Sequence, residues 1–176
     1  MNLRPHFAAL SRYRRFWIAY LAVLALDQLT KLVVLYGLPP TTAEHPGITV
    51  VPDFFRIVHV YNRGAAWSML SGRQDLLVLL AVAAMAGLYR WRKELGLDKP
   101  FVQLVLGAFA GGAIGNVIDR LAYDHVVDFL FFRIPLIGYD WPVFNVADIG
   151  ITCGAALYCW HGFREPEKPA EPRPAP

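Results

Sequence analysis

The sequence predicts an integral membrane α-helical protein with four transmembrane helices, a small β-rich extracytoplasmic subdomain and an interfacial segment. Three observations carry that prediction. First, 56% of the 176 residues are hydrophobic and only 18% charged, with a mean hydropathy of +0.36. Soluble domains are about 45–50% apolar and about 25% charged, and a chain this short lacks the interior to hide the surplus. Second, four apolar stretches approach the roughly 20 residues that a spanning helix needs. Third, the basic residues are unevenly divided between the segments that join those stretches. Despite a pI near 9.0, neither a disordered chain nor a nucleic-acid-binding module fits, so no nucleic-acid partner is expected.

The first span covers about 16–36 and is interrupted by Asp27, Gln28 and Lys31. The second covers about 70–90, with only 76–89 strongly apolar. The third, 101–121, is rich in glycine, and the fourth covers about 143–160. Residues 1–164 read as one domain, with outer loops at 37–72 and 122–142. The tail at 165–176 has five prolines in twelve residues and reads as disordered. Eleven basic residues lie in the two tails and the 90–99 loop, against four in the other two loops, Arg56, Arg63, Arg73 and Arg133. The positive-inside rule then places both termini in the cytoplasm. The first apolar stretch is too long for a signal-peptide core of about 7–15 residues, so it reads as an uncleaved span. Within the first outer loop, 48–61 is β-branched and aromatic and reads as one or two strands. Its Phe54-Phe55-Arg56-Ile57 recurs as Phe131-Phe132-Arg133-Ile134, which is either chance or a sign of two strands sharing a sheet. Residues 63–70 could lie along the interface.

Polar residues in a span are costly, about 2.5–3.5 kcal/mol for a charge at mid-membrane on insertion scales. They persist by pairing, lining a cavity or doing chemistry. Asp27 and Lys31 stand at i and i+4, acid first, which favours an ion pair. They either neutralise each other or also shape a polar site. Gly107, Gly111 and Gly115 form a small-residue face for close helix packing. Gly112, Asn116 and Arg120 form a second row, with Asp119 on the same side, which either locks helices together or orients carboxylates. Asp128 follows the third span. Asn145 and Asp148, at i and i+3, share one face at the start of the fourth. If the two spans are neighbours, Asp128 and Asp148 can meet at the outer membrane boundary. Two adjacent carboxylates cannot both ionise cheaply, so one keeps a proton, which supplies a general acid and a general base. Helix capping, or pairing with Arg120 or Lys31, would explain the same residues, and spacing alone leaves Asp124 and Asp140 open. Cys153 and Cys159 point to different sides of one helix, so no bridge is expected, and the histidines are too scattered for a metal cluster.

Five segments in order resemble the lipoprotein signal peptidases, the signal peptidase II family. They are Asp27-Gln28-Leu29-Thr30-Lys31, Asn62-Arg63-Gly64-Ala65-Ala66-Trp67-Ser68, the run Gly111 to Arg120, Val126-Val127-Asp128-Phe129, and Phe144-Asn145-Val146-Ala147-Asp148. The resemblance spans about 20–160. Trp67 stands where the family usually has Phe, and the tail lies outside the pattern. The resemblance implies an aspartic endopeptidase of the bacterial cytoplasmic (inner) membrane. It would remove signal peptides from diacylglyceryl-modified prolipoproteins, cutting on the N-terminal side of the lipidated cysteine. It implies Asp128 and Asp148 as the catalytic pair, with Asp27, Lys31, Asn62, Gly64, Gly112, Asn116, Arg120 and Asn145 binding substrate or supporting the site. Membrane lipids and globomycin-type cyclic peptides are the implied further ligands, the chain is expected to act as a monomer, and no metal or organic cofactor is implied.

Two other classes use intramembrane charges. A small ion- or proton-coupled transporter would do so, although no inverted repeat is evident among the four spans. A non-catalytic scaffold docking through the glycine face would tolerate Asp→Asn at 128 and 148.

Overall fold

The computed structural model describes residues 12–64 and 69–164. Among the described residues there are four α-helices: α1 (Arg14–Gly37), α2 (Gln74–Arg90), α3 (Pro100–Tyr123) and α4 (Val146–Arg164). Of these, α1 and α3, each 24 residues, are long and apolar enough to cross a membrane. The helix α2 has 17 residues and α4 has 19. The 70–90 stretch is shorter than expected because 69–72 form turns, with Leu70 in the left-handed region at φ 56°. The fourth helix begins at Val146 rather than 143, because Phe144 is still extended in a bridge to Leu130 and Asn145 caps the first turn. Most of the 63–70 segment, Ala65 to Ser68, and the 165–176 tail lie outside the described residues.

The helix α3 is the central one. Pro100 starts it and Asp124, at φ 63°, ends it in the left-handed cap position. Packed against it are α1 and α4 on two sides, while α2 leans on it without fully burying any residue. Its glycines let backbones touch. A Cβ on Gly111 would lie 2.5 Å from the Tyr20 carbonyl oxygen, and one on Gly112 would collide with the Ala147 carbonyl. The Gly107, Gly111 and Gly115 face thus meets α1, and the Gly112 row meets α4, as a close-packing stripe requires.

The packing of α1 is inverted relative to a soluble helix. Its buried residues are Phe16, Asp27, Lys31 and Val34, while Ile18, Leu21, Leu29 and Val33 are more than half exposed. Apolar side chains outside and a charged stripe inside suit a helix solvated by lipid.

A four-stranded antiparallel sheet sits at the end where α1 and α3 finish. Its order is β1 (Ile48–Val51), β2 (Phe55–Asn62), β3 (Val126–Ile134) and β4 (Tyr139–Asp140). The repeated Phe-Phe-Arg-Ile segments do share this sheet: Phe55 faces Phe132 and Arg56 faces Phe131, with the Phe55 and Phe132 rings stacked at 4.6 Å. The register shifts between Ile57 and Val60, so that Val60 faces Asp128. That irregularity and the short β3–Phe144 bridge bring the sheet's inner end over the helix termini. There Val34, Val127 and Phe129 form a small apolar cluster.

Candidate active site

Three asparagines from three different elements converge on two aspartates. Asn62, the last residue of β2, donates its Nδ2 to Asp128 Oδ2 at 2.8 Å. Asn145 donates its Nδ2 to Asp128 Oδ1 at 2.7 Å. Asn116, in the middle of α3, donates its Nδ2 to Asp148 Oδ1 at 2.8 Å. Both oxygens of Asp128 are thus engaged by amides. Asn145 also forms a reciprocal cap with Asp148: the Asp148 backbone N–H donates to Asn145 Oδ1 at 3.0 Å, and the Asn145 N–H donates to Asp148 Oδ2 at 3.2 Å. This is the capping-box arrangement, with Asp in place of Glu at the third position. Asn145 therefore sits between the two carboxylates and holds both, and it is itself fully buried.

Behind this layer lies a second one built on Lys31. Its Nζ is 2.9 Å from Asp27 Oδ2 and 2.9 Å from Asp119 Oδ2, and it donates to Asn116 Oδ1 at 2.8 Å. An ammonium has no acceptor, so Lys31 forces the carbonyl of Asn116 toward itself and thereby turns the amide NH2 toward Asp148. The carboxylates beside Lys31 are satisfied in turn. Asp27 Oδ1 accepts the Ala147 N–H at 2.8 Å, Asp119 Oδ2 accepts the Val127 N–H at 3.1 Å, and Gln28 Nε2 reaches Asp119 Oδ1 at 3.1 Å. The first two of these bonds tie α1 and α3 to the residue next to a member of the pair, Ala147 before Asp148 and Val127 before Asp128, and the third ties α1 to α3.

The expected Asp27–Lys31 pair is thus present, but it is part of a cluster with Asp119. Asp119, which spacing places on the same side as the Asn116 row, meets the same Lys31 of α1 as Asn116 does, and together with Gln28 it adds to the residues that support the site. Its signal in the sequence was its place one step before Arg120 and one turn after Gly115, which is the turn facing Asp27. Arg120 reaches the site through backbone carbonyls. Its two terminal nitrogens donate to the Gly64 carbonyl at 2.9 Å and the Asn116 carbonyl at 3.2 Å, with no direct carboxylate bond given by this geometry. It anchors the chain after β2, where the Gly64 N–H also donates to Asn62 Oδ1 at 2.9 Å. Gly112 contributes close approach to Ala147. The loop carboxylate Asp140 faces away, 3.7 Å from Arg133 on the exposed side of the sheet, and Asp124 caps α3.

The electrostatics separate the two aspartates. Burial, then the nearby charge of Asp148, push the Asp128 carboxyl up to about 7, against the opposing pull of the Asn62 and Asn145 amides and the Lys31 charge. Asp128 is 2% exposed, whereas Asp148 is half-buried. The arrangement can hold one proton on the inner member and present the outer one to water. Among the described residues no group of three His, Cys, Asp or Glu is placed to hold a metal ion.

Residues 19–164 match the family model for signal peptidase (SPase) II. The lipoprotein signal peptidase of Aeromonas hydrophila is 39% identical over 172 residues, covering 96% of this chain and 97% of its own. That of Moorella thermoacetica is 38% identical over 149 residues, covering 82% and 90%. A solved bacterial membrane enzyme superposes with a TM-score of 0.76 at 28% identity, covering 88% of this chain and 93% of that one. With the family model matched over most of its length, the chain belongs to the signal peptidase II family.

Proposed function

We propose that the protein is a membrane aspartic endopeptidase that removes signal peptides from diacylglyceryl-modified prolipoproteins, with Asp128 and Asp148 as its catalytic pair. The observation that carries this reading is the Asn145 bridge, which holds one buried and one accessible carboxylate in a single unit. Asp148, ionised, takes a proton from water as that water attacks the scissile carbonyl carbon. Asp128, protonated, gives its proton to the carbonyl oxygen. Collapse of the tetrahedral intermediate returns a proton to Asp128, and Asp148 delivers the other to the departing amine of the lipidated cysteine. Neither step calls on a metal or an organic cofactor.

Asn62 and Asn145 orient Asp128, Asn116 orients Asp148, and Lys31 with Asp27 and Asp119 holds Asn116. Arg120 and Gly64 fix the chain that leaves β2 beside the pair, and Gly112 lets α3 and α4 approach there. In this reading all four helices span the bacterial inner membrane, both termini are cytoplasmic, and the pair lies near the outer face, where a signal helix ends. Lipid tails of the substrate stay in the bilayer beside the bundle, and a globomycin-type cyclic peptide competes with the substrate for the aspartate pair. One chain suffices, since every group of the network belongs to it.

The direct test is incubation of the purified protein with a diacylglyceryl prolipoprotein. A product shortened to the lipidated cysteine supports the reading, and intact substrate with folded enzyme refutes it. Topology has its own check: a reporter active only outside the cytoplasm should be silent after Gly162 and active when inserted near Gly47, and the reverse result removes the orientation.

A further inference from the structure

The end of the bundle opposite the sheet carries a second polar feature that peptide cleavage does not use. A pocket of about 220 Å3 lies between the start of α1 and the loop that joins α2 to α3, lined by Arg12, Tyr13, Arg92, Lys93 and Asp98. Three cations against one carboxylate leave this pocket a net charge near +2.

The pocket is built on ordered backbone. The 91–99 loop is a series of hydrogen-bonded turns, Leu95 N–H to the Trp91 carbonyl at 2.8 Å, Leu97 to Arg92 at 2.9 Å and Lys99 to Gly96 at 2.9 Å. Leu97 hooks that loop into the apolar cluster of Phe16, Val102 and Leu106. On the other wall, buried Gln103 of α3 donates to the Arg12 carbonyl at 3.1 Å and accepts the Arg15 N–H at 3.2 Å. Arg92 is held in place by the Tyr89 carbonyl at 2.7 Å and the Tyr89 ring at 4.6 Å. Such a cation costs little ordering entropy when a ligand arrives. Exposed Trp17, Tyr89, Trp91 and Trp160 surround this end, as aromatic side chains do at the headgroup level of a bilayer.

We propose that this pocket binds the phosphodiester of an anionic glycerophospholipid, with Arg12, Arg92 and Lys93 on the phosphate and Asp98 accepting from headgroup hydroxyls. A diester monoanion fits the charge balance, and the aromatic belt sets the pocket at the depth where such headgroups lie. The site rests on the bundle spanning the membrane and is independent of the aspartate pair.

The test is native mass spectrometry of the full chain in detergent, titrated separately with dioleoylphosphatidylglycerol, dioleoylphosphatidylcholine and glycerol 3-phosphate. The anionic lipid should bind at least about tenfold more tightly than the zwitterionic one. Arg92→Gln should weaken it about fivefold, and Arg12→Gln/Arg92→Gln/Lys93→Gln about a hundredfold. Arg133→Gln, on the sheet, should change nothing. Prolipoprotein cleavage in detergent should stay at the parent level in all these variants, which separates failure here from failure of the peptidase reading. If the triple variant does not fold, the single Arg92→Gln and Lys93→Gln proteins decide the matter. Equal binding of the two lipids, or undiminished binding by the substituted proteins, overturns the proposal. Equally tight binding of glycerol 3-phosphate would assign the pocket to a soluble phosphate instead, and displacement of bound lipid by a polyglutamate peptide would assign it to an acidic protein segment. Either result also overturns it.

Discussion

At the end of the bundle away from the sheet, α1 and α3 meet through Phe16, Val102, Val105 and Leu106, with Leu97 of the 91–99 loop packed among them. At the sheet end the same two helices bury Asp27, Lys31, Asn116 and Asp119. In lipid, apolar contact between helices gains little over contact with lipid tails, so the first end depends on close fit. The second end depends on every polar group finding its partner. A loose apolar contact costs a fraction of the packing energy, but one missing partner in the polar cluster leaves a charge stranded. The polar end is therefore the one that can fix positions finely, and the aspartate pair is located there.

The sharpest break of that comparison is at the pair. Asp128→Asn and Asp148→Asn should each lower cleavage by at least about 10²–10⁴-fold, with folded yield near that of the parent, and the double variant should be little worse than either single because the residues act as one unit. Cleavage should also fall as pH rises through about 7, when Asp128 loses its proton. The same group links to stability. Its carboxyl lies near 3.8 in the unfolded chain and near 7 in the folded one, so the folded protein binds the extra proton between those values. Stability should accordingly decline as pH rises from about 4 to about 7, and Asp128→Asn should flatten that decline. Unfolding in detergent across that pH range reads it.

Next in size is the cluster behind the pair. Lys31→Met removes the one cation between Asp27 and Asp119 and should destabilise the protein by about 3–5 kcal/mol, since two buried carboxylates lose their partner. Asn116 would also lose the bond that turns its amide toward Asp148, so any folded Lys31→Met protein should cleave more slowly than the parent. A stable, fully active Lys31→Met protein would show that the polar end is no more demanding than the apolar one.

The apolar end is broken by bulk instead. Gly111→Ala places a methyl 2.5 Å from the Tyr20 carbonyl oxygen and should cost about 1–3 kcal/mol as α1 and α3 are pushed apart. Because Gly111 lies between the two ends, cleavage by the folded fraction should fall less than stability does, which parallel thermal and kinetic measurements would separate.

Periodicity within one helix was enough to pair Asp27 with Lys31, to place Asn145 beside Asp148 and to find the glycine face, because i, i+3 and i, i+4 neighbours are fixed by helix geometry alone. Which neighbour a helix meets is not fixed that way. Asp119 sits between the row facing α1 and the row facing α4, so its bond to Lys31 depends on the crossing of two helices distant in sequence. Arg120 turned to the Gly64 carbonyl for the same reason, since the position of the chain after β2 depends on the register of the sheet. The repeated Phe-Phe-Arg-Ile signalled strands, but their pairing rests on Phe55 facing Phe132 across the β2–β3 register.

The smallest expected effect concerns a charge pair at the polar end that is not buried. Arg133 and Asp140 lie 3.7 Å apart with side chains 51% and 54% exposed. They share the sheet end with Lys31 and Asp119 but not its solvation. Water screens the pair, and two mobile side chains lose entropy to hold it, so its contribution should be within about 0–1 kcal/mol. Arg133→Ala and Asp140→Asn should each leave cleavage and midpoint temperature near the parent's, and the difference should shrink further in high salt. Arg120→Ala should do much more, because it leaves the Gly64 carbonyl without its donor beside the aspartate pair; an unsatisfied buried group costs about 1–3 kcal/mol. Measured side by side, the two arginines ask whether burial or mere position at the sheet end sets the cost. Equal losses from Arg133→Ala and Arg120→Ala would mean that position alone decides, and the contrast between the two ends of the bundle would then rest on something other than desolvation.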